Sequence, residues 1–461
     1  MTIKARGLAL AAVAVLTFSG CGSSAAPTSS PAPASASASA VAAATSSAAA
    51  ATPAPTTAPT PEPTPTPVSD HVLRIAMGSP GEAQIAVWNA VAKQFMAAHP
   101  DTKVELNFQQ DDLYETIGEQ NLLTGKNPPD IYFEWTGARL NSRVTDGYAA
   151  DITDAFATGP LKGIFDDATL NQYKVGGNVV MVPYSHDVSN VLWYNTEILA
   201  ANSITPPTTW DQLLAACDTL SAKGIIPIAS GNKDLWAAGN WIAHLISRVV
   251  GEQSYDSVLS GTGKFDTPEW EAAFDYVVQL RDHHCFNESI NAIDDNAGAQ
   301  LFFQGKAAMH AIGSWLVSWA ISDAPSLKFD YVNWPAMPDG SKGNQNSVMG
   351  VATGYIINAH TAKMTEATEF MAMLNTDANV QAFIKAEVTP LAKSASTGSS
   401  VDDRTTQLNT MLNNAPAVVL PPDTGYDLKM AEAFETAIAA VMGGQASPHD
   451  ALAQVDDTLG R

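Results

Sequence analysis

The 461-residue chain is short of positive charge: 24 Lys and Arg stand against 47 Asp and Glu, a formal net charge of −23. A surface of that sign repels nucleic acid and anionic lipid, so no nucleic acid is expected as a partner. The acidity does not by itself argue for a cationic ligand, because most of those carboxylates are expected to be solvated. The usual signatures of phosphate binding, nucleophilic catalysis and zinc peptidases are absent: no G-x-x-x-x-G-K-[ST], G-x-G-x-x-G, G-x-S-x-G or H-E-x-x-H occurs. "GTGKF" (Gly261 to Phe265) lacks the leading glycine and the hydroxyl after Lys264, so it is not expected to cradle phosphate. "HHCFNE" (His283 to Glu288) gathers metal-ligand residue types, but adjacent histidines at one helix end point about 100° apart. No metal or cofactor is expected. Nothing in the sequence brings two carboxylates together as a glycosidase needs, and no enzyme activity is expected.

Cysteine is also scarce, with three residues. The first lies near the N-terminus, where Lys4 and Arg6 precede an apolar run, Leu8 to Leu16, too short to span a bilayer as a helix. Residues 1–20 read as a secretory signal peptide. "TFSGC", ending at Cys21, resembles a bacterial lipobox, with Ser19 and Gly20 before the cysteine; Phe18 departs from the usual aliphatic residue. The resemblance implies cleavage before Cys21 and a diacylglyceryl thioether on its sulfur. Ordinary signal cleavage nearby is the alternative. From Gly22 to Ser69 the chain is almost all Ala, Ser, Thr and Pro, with Glu62 its only charge. It has no apolar periodicity and is expected to be disordered, so residues 21–69 read as a lipidated cysteine and a tether. No later stretch is long and apolar enough for a transmembrane helix. Cys217 and Cys285 remain; outside the cytoplasm they form a disulfide or stay as two core thiols.

In the body, strand and helix patterns alternate. "HVLRIAMG", "TKVELNFQ" and "PPDIYFEW" read as strands. The first two flank an amphipathic helix with Ile85, Trp88, Val91, Ala92 and Phe95 on one face, and a helix through Leu113, Ile117 and Leu122 follows the second. Further on, Thr209 and Gln212 form a capping box ahead of a stripe of Leu213, Leu214, Cys217 and Leu220, and Gly224 stops that helix. Pro268 opens another, with Trp270, Phe274, Val277 and Leu280 buried. Strand-helix-strand order implies parallel or mixed sheets covered by helices, in two α/β units.

"GKNPPDIYFEWTG", "VPYSHDVSNVLWYNTEIL", "PPTTWDQL" and "LFFQGKAAMHAIGSW" occur in an order that resembles the carbohydrate-binding lipoproteins of bacterial ABC importers. These are relatives of the maltose-binding protein, and the raffinose/chitobiose/xylobiose branch is the most similar. Gln212 replaces an acidic residue common in that family, a helix-cap matter. The resemblance implies an α/β, two-lobed periplasmic-binding-protein fold with a hinge and an interlobe cleft. Lobe 1 is expected at residues 70–184 plus 348–393, and lobe 2 at residues 185–347 plus 394–461. It further implies a monomer that binds an oligosaccharide, meets ABC permease subunits, and is held to the lipid bilayer through Cys21. Rival readings are the same fold binding a polyol or glycerol phosphodiester, a tethered glycoside hydrolase, and an adhesive surface protein.

A pyranose has an apolar C–H face and a rim of hydroxyls, so its site needs aromatic plates and acceptors. Trp315, after the turn in "GSW", matches the main stacking ring of the family. Trp135 ends a strand at the carboxyl edge where α/β sheets bind ligands. Trp236 with Asp234 lies in "GNKDLWAAGNW", and Tyr426 in "PPDTGYDLKMAEAF". Asp187, or His186 beside it, falls at the lobe crossover. Glu82 and Asp112 complete the expected set. Trp88, Trp210 and Trp270 are expected in the core, as are Trp193 and Tyr194.

Overall fold

The computed structural model describes residues 70–396 and 401–461. The expected signal peptide, the lipidated Cys21 and the tether lie outside the described residues. Among the described residues no helix is long and apolar enough to cross a membrane.

The three alternating segments form strands Val72–Gly78, Lys103–Gln109 and Ile131–Trp135, with the first as the central, parallel partner of the other two. Strand Val348–Ile357 adds antiparallel beside Ile131–Trp135. It also pairs with Val182–Val188 and, at its first two residues, with Val418–Val419. All ten of its residues are buried, as befits a strand covered on both faces. The second sheet has the order Phe329–Val332, Val191–Asn195, Ala307–Ile312, Ile226–Ala229. The chain thus passes between sheets at Ser189–Asn190, and it returns just before Val348. Pairing in the first sheet runs to Val188, past the residue 184 boundary read from the sequence.

Helix Glu82–Ala98 buries Trp88, Val91, Ala92 and Phe95 on the first sheet, with Trp88 edge-on to Tyr355 at 5.0 Å. Helix Trp210–Ser221 starts under the Thr209 side chain, which accepts from the Gln212 amide. The Gln212 side chain reaches back to the Thr208 amide at 2.9 Å, one residue beyond the expected partner. Trp88, Trp210, Trp270 and Trp193 are all buried. A disulfide joins Cys217 to Cys285 across 68 residues, with Cα atoms 5.0 Å apart.

One expected helix differs. After Lys103–Gln109 come Asp111–Leu113, a π-helical turn Tyr114–Gly118, and Glu119–Leu123. The Glu119 amide donates to the Tyr114 carbonyl, five residues back. This wide turn rotates the following face. Leu113 and Ile117, apolar positions of the expected helix, are 45% and 58% exposed, whereas Tyr114 and Glu119 are buried. The Tyr114 hydroxyl donates to the Phe133 carbonyl at 2.7 Å.

Helix Trp236–Val250 is buried along nearly its whole length. Its second half holds the two crossings. His244 Nδ1 lies 2.8 Å from Asn190 Oδ1, and its Nε2 lies 3.2 Å from the Ser347 carbonyl and 3.4 Å from the Ser347 hydroxyl. Burial holds the imidazole pKa well below its usual value, so the ring is neutral. A neutral ring carries one N–H, so it donates either to Asn190 or to the Ser347 carbonyl. Arg248, fully buried, donates to the carbonyls of Trp334 at 2.7 Å and Ser347 at 2.8 Å, and to Asn333 Oδ1 at 2.9 Å. Burial lowers its pKa to about 10, which leaves it charged at neutral pH. Removing it takes a charged donor from the buried carbonyls of Trp334 and Ser347 and from half-buried Asn333 Oδ1, each loss costing about 1–3 kcal/mol. Arg248→Met is therefore expected to lose at least about 3 kcal/mol of unfolding free energy in urea titration; a loss below about 1 kcal/mol would mean water replaces the guanidinium.

Candidate functional site

Between the two sheets lies a cleft of about 1250 Å³, counting the space at its mouth. Its walls come from the carboxyl ends of Val72–Gly78 and Ile131–Trp135, the crossing segment Ser185–Ser189, and the first turns of helix Trp236–Val250. Residues 314–319, 387–389 and 421–424 complete them. A second, open hollow of about 1080 Å³, again counting the space at its mouth, shares Ser79, Pro80, Gly81, Asp111 and Trp319 with it.

Four indoles line the main chamber: Trp135, Trp236, Trp315 and Trp319. Each is placed by a local backbone or charge device. Strand Ala307–Ile312 ends at Gly313, and the Ser314 amide donates to the Val188 carbonyl at 2.9 Å. The Trp315 ring folds back over Gly313. A Cβ at residue 313 would sit 2.1 Å from Trp315 Cζ3, so glycine is required for this ring position. Trp319 is one helical turn further along Leu316–Asp323 and extends the same face. Trp236 is set by a γ-turn: its amide donates to the Asp234 carbonyl at 2.9 Å, with Leu235 at φ 71°, ψ −41°. A non-glycine residue there is strained. Trp236 and Trp315 stand 6.2 Å apart at 45°.

Trp135 rests on a buried quartet of charges. Arg139 Nε donates to Glu134 Oε1 and its Nη2 to Glu119 Oε2, both at 2.9 Å. Arg143, one turn on, donates to Glu134 at 2.9 Å and Glu119 at 2.8 Å. Two acids against two guanidiniums satisfy a group that would be costly if broken. The Arg139 guanidinium lies 4.6 Å from the centre of the Trp135 ring, fixing one of its faces.

The charged groups lining both chambers are acidic, and among the described lining residues none is Lys, Arg or His. Burial pushes the Asp187 carboxyl up to about 6, against hydrogen bonds from Ser185 and Ser314; Ser185 Oγ lies 3.0 Å away. Glu115, from the π-helical turn, and Asp423 are both raised by burial. Each also feels the other; the negative charge of Asp423 raises Glu115 further. Asn240 Nδ2 lies 3.4 Å from Asp423 Oδ2.

Of the residues expected at the site, Trp135, Asp187, Trp236 and Trp315 line the main chamber, and Glu82 lines the second. The Asp112 side chain lies outside the described residues. His186 lines neither chamber: strand alternation gives the cleft to its neighbours Ser185 and Asp187. Asp234 is also outside the lining and serves the γ-turn through its carbonyl. Tyr426 lies in the core, with its hydroxyl donating to Asp256 Oδ1 at 3.1 Å and its ring edge-on to Tyr255. The helical turn Pro422–Gly425 brings Asp423 and Thr424 to the cleft instead. Sequence reasoning also missed Glu115, Asn240, Glu387 and Trp319. Trp319 was legible, four residues after Trp315 at helical spacing.

Two α/β lobes joined by crossing strands around an aromatic, acidic cleft define a two-lobed binding protein. The chain belongs to the bacterial extracellular solute-binding protein family, whose profile matches residues 79–381. It is 23% identical to an uncharacterized ABC transporter extracellular-binding protein of Pyrococcus horikoshii over 50% of this chain and 52% of that one. It therefore spans about half the length of that relative. It is 22% identical to the multiple sugar-binding protein of Streptococcus mutans over 67% of this chain and 72% of that one. Among solved structures, a chitin oligosaccharide binding protein superposes with a TM-score of 0.76 at 21% identity, covering 85% of this chain and 99% of that chain.

Gly313→Ala is expected to displace the Trp315 ring and destabilise the fold by about 1–3 kcal/mol, with a change in tryptophan emission. An unchanged melting curve and spectrum would show that the ring is not held where it lies.

Proposed function

We propose that the protein captures an oligosaccharide in its cleft, closes over it and passes it to the permease of an ABC importer, while the lipidated Cys21 holds it at the outer face of the membrane. The observation that carries this reading is the combination of four indole rings with five carboxyl side chains on one cleft wall system. The rings suit the C–H face of a pyranose, and each well-packed one adds about 0.5–1.5 kcal/mol beyond its buried area, by analogy with aromatic pairs. A carboxylate accepting a sugar hydroxyl adds about 1.5–3 kcal/mol. Trp315 Nε1 is buried and has no hydrogen-bond partner among the described residues, which makes it a donor for a ligand oxygen. The second chamber, which shares Pro80 and Trp319 with the first, supports a ligand longer than one ring. The sugar-binding name of the Streptococcus mutans relative agrees with it.

A phosphodiester ligand is disfavoured, because no basic side chain is among the described lining residues and a buried anion among carboxylates is unpaired. Closure is a population shift: a sugar that touches both lobes only when they meet favours the closed form by that difference in contact. The family and its named relatives are receptors, and the chemistry proposed is capture without bond cleavage. The lipobox-like "TFSGC" and the charge-poor stretch behind it support the anchor.

A thermal-shift panel of mono- and oligosaccharides tests the reading. At least one oligosaccharide is expected to raise the melting temperature, and Trp315→Ala is expected to weaken that sugar's binding about tenfold or more while the unliganded melting curve changes little. A protein indifferent to every sugar, together with an unfolded Trp315→Ala variant, would make the ring core and the reading wrong.

A further inference from the structure

The cleft carries more carboxyl groups than hydroxyl recognition needs, and two of them, Glu115 and Asp423, stand together. Asn240, Asp423, Thr424 and Glu435 are each less than one-tenth exposed, and each has a polar side-chain atom without a partner among the described residues. The first three line the cleft. Glu435 lies directly behind them, and it reaches that place because residue 239 has no side chain: a Cβ there would stand 2.8 Å from Glu435 Cγ. The unpartnered atoms of Asn240, Asp423 and Glu435 are carbonyl or carboxyl oxygens. The Asn240 amide is already turned to the other Asp423 oxygen.

The charged groups facing these carboxyls are Glu115 from the π-helical turn, Asp111 before it, Glu432 on the Glu435 helix, and Arg139. Arg139 is the cation among them, and its donors are committed to Glu134, Glu119 and the Glu115 carbonyl. A neutral hydroxyl satisfies an acceptor but leaves a buried carboxyl no compensation for ionising; a cation supplies both. The indole faces nearby attract a cation as well.

We propose that the cleft is built for a saccharide that carries a protonated amine, with the ammonium seated at Asp423 and Glu115 and the sugar rings on the tryptophans. This rests on the reading of the cleft as a saccharide site and narrows it to basic sugars. Burial raises Glu115, Asp423 and Glu435 in the unliganded protein. An arriving ammonium favours their ionised forms, so binding releases protons to the buffer.

The test uses three β-1,4-linked tetrasaccharides that differ only at C2: cellotetraose with a hydroxyl, the chitin tetramer with an acetamide, and its fully deacetylated form with an amine. Calorimetric titration at mildly acidic pH and low salt, in two buffers of different ionisation heat, measures affinity and proton release. The deacetylated tetramer is expected to bind about tenfold or more tighter than cellotetraose, to lose that advantage as salt rises, and to release protons. In Asp423→Asn the ratio of the two affinities is expected to collapse toward unity; Glu115→Gln gives the same readout should the first variant fail to fold by circular dichroism. Cellotetraose or the acetylated tetramer binding as well as the amine overturns this inference and leaves the oligosaccharide reading standing. A ratio kept in both variants overturns the proposed seat. No binding by any of the three overturns this inference, and the oligosaccharide reading is then decided by the wider sugar panel.

Discussion

One face of one helix links the cleft to the crossings between the sheets. Trp236, Asn240, His244 and Arg248 recur every four residues along Trp236–Val250, so they form one ridge. The first two reach the cleft wall. The last two bind Asn190 and Ser347, where the chain passes between its sheets. The polar groups at those crossings have left one ladder and not yet joined the next, and buried groups in that position must find partners. His244 and Arg248 supply them. The same rigid rod therefore sets the path of the crossing strands and the height of the aromatic wall.

The remaining wall is placed by similar local departures from regular structure. A π-helical turn puts Glu115 toward the cleft while delivering Glu119 to the arginines beneath Trp135. A γ-turn tips Trp236, and a glycine lets Trp315 lie flat against the strand end. Glu387, another lining residue, sits at φ 61°, and its carboxylate accepts from the Asp402 amide at 2.7 Å. Each device costs backbone strain or charge burial of order 1–3 kcal/mol. They cluster where the two cores meet, which is where a ligand-responsive structure has reason to keep them.

The regular parts of this arrangement were legible in the sequence. Period-two runs marked the strands of the first sheet, and the stripes on Trp88, Trp210 and Trp270 marked three packed helices, because burial on one face forces those spacings. Trp135 at a strand end and Trp315 after a tight turn could be picked for the same reason: their surroundings dictate where a large ring can go. The π-helical turn could not be read, since one extra residue in a hydrogen-bonded ring leaves no compositional trace. "PPDTGYDL" was the right segment, but Tyr426 was chosen over Asp423; four residues of helical turn after Pro421 decide which side chain faces the cleft. Glu435 could not be found from sequence at all. Its place depends on Gly239, almost two hundred residues earlier in the chain, leaving a hole for it.

The most direct measurement is a crystal structure of the protein soaked or grown with an oligosaccharide that shifts its melting point. The account predicts a pyranose ring packed face-on against the Trp315 indole, with carbon atoms about 4 Å from the ring plane, its hydroxyl or amino rim turned to Asp187, Glu115 or Asp423, and both lobes in contact with it. A saccharide bound outside the cleft, or in the cleft with Trp315 untouched and sealed within one lobe, would contradict it.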